Sequence, residues 1–307
     1  MENYCDFLKK LNQQPNMNLL SFVDRELFEI YQKVFLQSQS IPMTLKLNFN
    51  NTKNKSLQDS LLLNFYFDHT YVLNLTRRPD RLNAMSTNLK KIGFYNWSRW
   101  EALDGKESPH YDEYIAYRRS RMTYNEKRKY HRKAIGSCGS WAILKSMYLM
   151  LKNAIKNKYQ TILVLQDDLL WHKNFVKEFL TIPDRVPKNW KLLYLGATQH
   201  NWNHVEQRPF YYFPMGTADG AFAVGIHHSI FQEMMDEILQ FDMPFDSGPL
   251  KRIQKKYGRQ AIILKPNLVI ADIRDSDLRK SRNLEAHAKK FGWNINLYKV
   301  PPKLPLA

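Results

Sequence analysis

The chain of 307 residues is poor in cysteine and contains no long apolar run. With only Cys5 and Cys138, at most one disulfide can form, which excludes a disulfide-stabilised framework. No segment reaches the roughly 18 consecutive apolar residues of a membrane span, and the N-terminus lacks the basic flank and apolar stretch of a secretory signal. We therefore expect free thiols, no membrane span and a cytoplasmic protein.

Acidic residues are also scarce, with 29 Asp and Glu against 46 Lys and Arg and a formal net charge of +17. Such an excess attracts nucleotides, phosphorylated surfaces or polyanions. The basic run at residues 117–133 interleaves Tyr with Arg and Lys. It is open to three interpretations: a solvated face, a loop closing over a nucleotide, or a contact for nucleic acid.

The apolar pattern divides the chain into a helical N-terminal extension, residues 1–66, and an α/β domain, residues 67–307. Helical spacing of apolar residues predicts a helix at 19–35, and the Asn- and Lys-rich segment 47–60 predicts a linker or exposed loop. From residue 68 onward, strand patterns alternate with helix patterns. This alternation predicts a mixed, mostly parallel sheet flanked by helices. We also expect a helix at 229–239 capped by Ser229, and another that ends at Gly258.

The strongest chemical signal is the strand-like run 162–165 that continues into Gln166, Asp167 and Asp168. Open α/β sheets bind ligands at the carboxyl ends of their strands. Adjacent carboxylates repel each other unless a cation or hydrogen bonds neutralise them. Side chains two positions apart on a strand share a face, so Asp168 is predicted to bind a metal while Gln166 bonds a ribose. Asp167 is predicted to be a second metal ligand or to hold the first ligand in place. The alternative is that one of the two aspartates only caps the helix that follows.

A second signal is the turn that follows the strand at residues 71–75. Asn74, Arg77, Arg78 and Arg81 cluster where a helix is predicted to begin. Helix N-termini favour anions, and arginine binds phosphate through two parallel hydrogen bonds. These four side chains are predicted to hold a nucleotide, the alternative being a solvated basic turn.

Further acids and arginines occur toward the C-terminus. Asp246 precedes a predicted helix, and it is either the cap of that helix or a general base. Asp272 follows a strand-like segment and could complete a metal site, and nearby Arg274 could hold phosphate; the alternative is an exposed loop.

Taken in chain order, several motifs resemble glycosyltransferase family 25, the lipopolysaccharide-biosynthesis and procollagen galactosyltransferase family. They extend from about residue 68 to 285 and comprise YVLNLTRRPDR, WEALDG, GSCGSW, LVLQDDLLW, WKLLYLG and MGTADGAFAV. Three positions depart from the family pattern: Gln166 replaces an acid, Ser137 a cysteine and Trp141 a histidine. The Asn- and Lys-rich composition would also suit a member from a large DNA virus.

This resemblance implies a GT-A-like enzyme that moves a hexose from a UDP-sugar to a hydroxyl of a glycan or of a collagen-like protein, with inversion. It implies Mn²⁺ or Mg²⁺ at Asp168, with Asp167 or Asp272 assisting, and a site contribution from Asp104 in the A-x-D-G element. Asp246 or Asp219 would be the general base. Two alternatives remain: a degenerate transferase that binds donor without turnover, because Gln166 removes a charge, and a non-catalytic nucleic-acid-binding protein.

Overall fold

The computed structural model describes residues 55–120, 135–277 and 282–301. The chain divides into two compact units, one of Met1–Tyr66 with Gly93–Asn96 and the other of Phe67–Ile92 with Trp97–Ala307. The helix predicted at 19–35 and most of the basic run at 117–133 lie outside the described residues. The described helices are α1 (Lys55–Phe65), α2 (Pro79–Lys91), α3 (His110–Ser120), α4 (Cys138–Lys156), α5 (Phe175–Phe179), α6 (Ile182–Arg185), α7 (Phe231–Leu239), α8 (Pro249–Tyr257) and α9 (Leu284–Phe291).

In the first unit, the described part consists of α1 and the segment Gly93–Asn96. The side chain of Asn64 donates to the carbonyl of Gly93 at 2.9 Å and accepts from the amide of Tyr95 at 2.6 Å. The linker predicted at 47–60 is wrong from Lys55 onward, because those residues form the first turns of α1. The apolar residues Leu62, Leu63 and Phe65 extend the helical pattern, which outweighs the polar composition of the segment before it.

The second unit is built on two sheets. The strands are β1 (His69–Asn74), β2 (Trp97–Glu101), β3 (Thr161–Gln166), β4 (Leu169–His172), β5 (Leu192–Gln199), β6 (Glu206–Gln207), β7 (Tyr211–Phe213), β8 (Ala218–His227), β9 (Ala261–Leu264), β10 (Val269–Ala271) and β11 (Tyr298–Lys299). In the described part, the larger sheet has the order β2-β1-β3-β8-β5-β9-β7-β6, and the smaller has the order β10-β4-β11.

The larger sheet is mixed but mostly parallel in strand direction, which confirms the predicted fold class. Strands β2, β1 and β3 form parallel pairs, and so do β5 and β9. Strand β8 runs antiparallel between β3 and β5. Consequently the beginning of β8 lies at the same edge of the sheet as the ends of β3 and β5, and residues from all three strands can meet there.

The core lies between the larger sheet and the helices α4 and α7. Its buried apolar side chains include Leu144, Met147, Leu151, Ile162, Val164, Val224, Met234 and Ile238. Apolar residues spaced three and four apart place one face of each helix on the sheet. Burial of such side chains typically contributes about 1.5–3 kcal/mol each, which fixes the strand ends that carry the polar site.

Two predictions about helix ends have different outcomes. Helix α8 begins at Pro249 and ends at Tyr257, directly before Gly258, as predicted. The predicted cap of α7 is wrong, because a short 3-10 turn (His228–Ile230) precedes that helix and no side chain caps it. The hydroxyl of Ser229 instead accepts a hydrogen bond from the Lys191 ammonium at 2.6 Å.

Candidate active site

A cleft of about 490 Å³ opens at the edge of the larger sheet where β3 and β5 end and β8 begins. Open α/β sheets bind ligands at this edge. Other parts of the wall come from the N-terminus of α4, from the segment before α8 and from α9 with the residues after it. The polar and charged lining residues are Ser137, Ser140, Gln166, Asp168, Thr198, His200, Asp219, Asp246, Ser276, Arg282, His287 and Lys290.

The three polar residues that follow the buried part of β3 alternate in direction. Gln166 and Asp168 line the cleft, and Asp167 does not. This is the arrangement expected from the two-residue period of an extended chain. The predicted shared face of Gln166 and Asp168 is found here, whereas the sequence had left the direction of Asp167 open.

Asp168 is the most perturbed acid in the cleft. Burial, together with the neighbouring charges of Asp167 and Asp272, raises the pKa of its carboxyl to about 7, although Arg81 acts in the opposite direction. Arg81 Nη1 lies 3.8 Å from Asp168 Oδ2, whereas the buried Oδ1 has no hydrogen-bond partner among the described residues. A carboxylate oxygen without a partner is costly, and a cation or a donor from a ligand would relieve that cost.

Asp167 faces the opposite side, where both its oxygens are engaged. Asn74 Nδ2 donates to Oδ2 at 2.7 Å, and Arg81 Nη1 lies 3.2 Å from Oδ1. Asn74 is itself buried, donates to the carbonyl of Arg78 at 2.9 Å and accepts from Arg99 Nε at 3.1 Å. The predicted nucleotide contact Asn74 and the predicted ligand Asp167 thus belong to one hydrogen-bond network beside the cleft.

Asp272 and Arg274, predicted as metal ligand and phosphate contact, bind each other. Arg274 donates through Nε to Oδ1 at 2.8 Å and through Nη2 to Oδ2 at 2.6 Å. Its Nη1 also donates to the carbonyl of Pro301 at 2.9 Å. The backbone amide of Asp272 donates to the carbonyl of Asp168 at 2.6 Å, which places this pair close to the cleft.

The three arginines of the β1–α2 turn are bound by carboxylates, mainly by Asp277. Oδ1 of Asp277 lies 2.5 Å from Arg77 Nη1, and its Oδ2 lies 3.0 Å from Arg78 Nη1 and 3.2 Å from Arg81 Nη1. Although burial opposes the change, hydrogen bonding to Arg77 and the charges of the arginines lower the pKa of Asp277. Sequence reasoning did not single out Asp277, because nothing local marks a counterion that lies about 200 residues away. The remaining carboxylate partners in this cluster are Asp80, Asp104, Asp167, Asp275 and, at the longer distance of 3.8 Å, Asp168.

The A-x-D-G element joins the arginine cluster to the cleft. Asp104 accepts from Arg77 Nε at 2.6 Å, and this hydrogen bond contributes to a lowered pKa despite partial burial. The next residue, Gly105, packs against the backbone carbonyl of Cys138, where even a methyl group would overlap it. Helix α4 therefore begins directly beside this element, and its N-cap Ser137 lines the cleft.

Replacing Asp277 by asparagine is expected to destabilise the fold by about 1–2 kcal/mol near neutral pH, because three arginines lose their shared charge. The folded-state pKa is lowered, so this stabilisation is present above the ordinary value near 3.8 and is lost as the pH falls through the folded pKa. Denaturant unfolding at about pH 7 and about pH 3 measures the difference.

Asp275→Asn is the matched control, because the Asp275 side chain is 59% exposed whereas that of Asp277 is 15% exposed. We expect Asp275→Asn to cost less than about half as much. Equal losses in the two variants would contradict a special role for Asp277.

The two predicted base candidates both line the cleft, but their surroundings differ. Asp219 has His200 Nε2 at 2.9 Å from one oxygen and Lys251 Nζ at 2.6 Å from the other. Asp246 precedes α8, yet the N-cap position of that helix is held by Gly248 and no side chain caps it. The capping interpretation of Asp246 is therefore wrong, and its place in the cleft wall remains.

The described residues contain no group of three or more His, Cys, Asp or Glu side chains arranged to hold a metal ion. In the same part of the chain, no helix combines the length and apolar character needed to cross a membrane.

A mixed, mostly parallel sheet with a polar cleft at the carboxyl ends of its strands is the architecture of GT-A-like α/β glycosyltransferases. Residues 67–218, just under half of the chain, match the model of Glycosyltransferase family 25 (LPS biosynthesis protein), and this region is similar to that family. The match begins just before β1 and ends at the first residue of β8. It includes the arginine turn, Asp104 and the carboxylates after β3, whereas Asp219, Asp246 and α9 lie beyond it.

Two curated relatives are similar over this region. A protein of Acanthamoeba polyphaga mimivirus called "Procollagen lysyl hydroxylase and glycosyltransferase" is 31% identical over 131 residues, which is 41% of this chain and 15% of that protein. A "Glycosyltransferase 25 family member" of Aedes aegypti is 25% identical over 130 residues, which is 42% of this chain and 21% of that protein. The similar region thus spans about a fifth or less of each relative.

Proposed function

We propose that this protein transfers a hexose from a UDP-sugar to a hydroxyl group of a protein or glycan acceptor, with a divalent cation bound at Asp168. The observation that carries the proposal is the buried Asp168 oxygen without a hydrogen-bond partner among the described residues, at the ligand-binding edge of the sheet and within the region that matches the family model. A cation there would neutralise the carboxylate and draw in a diphosphate.

The donor set fits Mg²⁺ or Mn²⁺ that is shared with substrate. Such ions are commonly held by one or two carboxylates, by water and by the phosphates of a nucleotide, so a group of three acids is not needed. Asp167 and Asp272 accept hydrogen bonds from arginines, whereas Asp168 has only Arg81 at 3.8 Å from Oδ2 and no partner at Oδ1, which makes Asp168 the principal candidate ligand. When bound, the cation would stabilise the negative charge on the leaving diphosphate.

The arginines predicted to contact phosphate would first have to release their carboxylate partners. Arg77, Arg78 and Arg81 are engaged by carboxylates, so a nucleotide phosphate could reach them only by displacing Asp277 or its neighbours. We therefore assign the diphosphate to the cation at Asp168 and a supporting role to the arginines. Gln166, on the same wall as Asp168, can hydrogen-bond a hydroxyl of the ribose.

The chemistry of transfer requires a proton acceptor in the cleft. The acceptor hydroxyl attacks the anomeric carbon on the face opposite the leaving diphosphate, which inverts that carbon. Its proton must pass to a base within hydrogen-bond reach. Asp246 and Asp219 both line the cleft and are the acids available for this role.

The names of the relatives supply the acceptors to test first. The mimivirus protein carries the name of a procollagen lysyl hydroxylase and glycosyltransferase, which makes a hydroxylysine-containing collagen-like peptide the first acceptor to test. The family description also names lipopolysaccharide biosynthesis, which supports a saccharide acceptor as the second.

A panel of UDP-sugars tests the proposal through UDP release with and without acceptor. UDP-galactose, UDP-glucose and UDP-N-acetylglucosamine are each incubated with Mn²⁺, with Mg²⁺ or with a chelator. We expect saturable turnover of one sugar nucleotide that falls at least about 100-fold on chelation, since a bound cation stabilises the transition state by several kcal/mol. Turnover that persists unchanged in the chelator would refute the metal-dependent mechanism. Metal-dependent binding without turnover would indicate a degenerate transferase.

A further inference from the structure

His200 lies at the end of β5 and shares the cleft wall with Asp219. Its backbone amide bonds the carbonyl of Thr217, and its Nε2 lies 2.9 Å from Asp219 Oδ2. Thr198 and Asp219 are partners in the ladder between β5 and β8. Asp219 is therefore placed by β8 itself, and His200 by its position directly after β5 and by its backbone bond to Thr217.

Asp219 is held from its other side. Lys251, on α8, has its ammonium 2.6 Å from Asp219 Oδ1. With His200 beside Oδ2, each oxygen of this carboxylate has a basic nitrogen within 2.9 Å, although Oδ1 makes no hydrogen bond of good geometry. The two basic neighbours favour the charged carboxylate, which suits a group that orients His200.

The His200 ring packs against a neighbouring aromatic ring but remains accessible to a ligand in the cleft. The Phe291 ring packs against it edge to face, with a centroid distance of 5.0 Å, and 43% of the His200 side chain is exposed. Among the described residues, Nδ1 has no hydrogen-bond partner. When Nε2 carries the proton toward Asp219, Nδ1 presents its lone pair to a ligand.

On the basis of the proposed function, we infer that His200 is the proton acceptor of the transfer reaction and that Asp219 is its positioning residue. Nδ1 takes the proton of the attacking hydroxyl as the oxygen forms its bond to the anomeric carbon. The bond from that carbon to the diphosphate breaks at the same time, and its electron pair leaves with the nucleoside diphosphate. Asp219 stabilises the imidazolium that results.

The arrangement follows the logic of carboxylate–histidine pairs in which the carboxylate selects the tautomer and the imidazole moves the proton. Histidine is also the side chain that most often serves as a general base in enzymes. The assignment also places the acceptor on the side of the cleft formed by Phe291 and its neighbours, outside the region that matches the family model.

Rates of UDP release test this inference, with water as the acceptor and each sugar nucleotide of the panel as the donor. For His200→Gln we expect kcat to fall at least about 100-fold while KM for the sugar nucleotide stays within about threefold. Added imidazole is expected to restore part of the rate in His200→Ala. His204→Gln is the matched control, because His204 is exposed, lies four residues farther along and does not line the cleft.

The competing base is tested in parallel. If Asp246→Asn abolishes turnover and His200→Gln retains it to within about threefold, the proton goes to Asp246 and the inference is overturned. If the wild-type protein releases UDP from no sugar nucleotide, the proposed function itself fails. If the wild type and His200→Gln are both active, the inference about His200 is contradicted while the proposed function stands.

Imidazole NMR gives a readout that needs no turnover. We expect the neutral His200 ring to carry its proton on Nε2 in the wild type and to lose this tautomer preference in Asp219→Asn, because the orienting carboxylate is gone. Asp246 also lines the cleft, so Asp246→Asn serves as the charge-matched control and should leave the tautomer unchanged. An unchanged His200 tautomer in Asp219→Asn would contradict the pair.

Discussion

Replacing Asp168 by asparagine is expected to lower metal-dependent UDP release by about 1,000-fold or more, because the proposed cation loses its principal protein ligand. Asparagine preserves the size of the side chain, so the shape of the cleft should be retained. Rates over a range of Mn²⁺ concentrations are the measurement. Asp184→Asn, at an exposed acid on α6, is the control and should behave as wild type.

The same substitution is expected to raise stability when metal is absent. The pKa of Asp168 is raised from its ordinary value near 3.8 to about 7, so the folded state holds the proton more tightly than the unfolded state does. The carboxyl therefore destabilises the fold increasingly as the pH rises from about 4 to about 7, and asparagine removes that cost.

A rise of about 1 kcal/mol or more in the free energy of unfolding, or about 2–4 °C in Tm, is expected at pH 8 in a chelator. The gain should vanish near pH 4, and Mn²⁺ should stabilise the wild type without stabilising Asp168→Asn. A variant that is both inactive and less stable at pH 8 would show that Asp168 serves the fold rather than a ligand.

Gly196→Ala is expected to cost about 3 kcal/mol or more of folding free energy. A methyl group at this position of β5 would overlap the backbone carbonyl oxygen of Val269 and would press on the ring of Phe222. A backbone carbonyl cannot turn away as a flexible side chain can. Strand β10 would have to move from β5, and thermal unfolding should register a loss of about 6–12 °C.

Gly136→Ala is the matched control for this prediction. Gly136 is exposed, and a methyl group built on it meets nothing within 4 Å. We expect its free energy of unfolding to stay within about 0.5 kcal/mol of wild type. If Gly196→Ala also left the free energy of unfolding unchanged, the close approach of β5 and β10 would be contradicted.

The sequence predicted features that depend on local geometry. The two-residue period of an extended chain was enough to predict that Gln166 and Asp168 share a face, although it left the direction of Asp167 open. Proline and glycine marked both ends of α8 because each acts through its own backbone. The order of strands and helices was likewise sufficient to predict the class of the sheet.

Features that depend on distant partners were not predictable in this way. The arginines of the β1–α2 turn look like free phosphate contacts until tertiary structure supplies Asp277. Asp272 and Arg274 look like separate ligands until their side chains are seen to bind each other. His200 carries no motif of its own, because its role depends on a carboxylate from an antiparallel neighbour. The signal that could have suggested it is a histidine directly after a buried strand.

The ion cluster beside the cleft also bears on the order in which ligands arrive. Around its three arginines, the described residues supply six carboxylates: Asp80, Asp104, Asp167, Asp168, Asp275 and Asp277. These carboxylates would repel an approaching diphosphate, despite the overall charge of +17, until a cation had bound in the cleft. Steady-state kinetics should then follow a compulsory sequence, with metal first and nucleotide second.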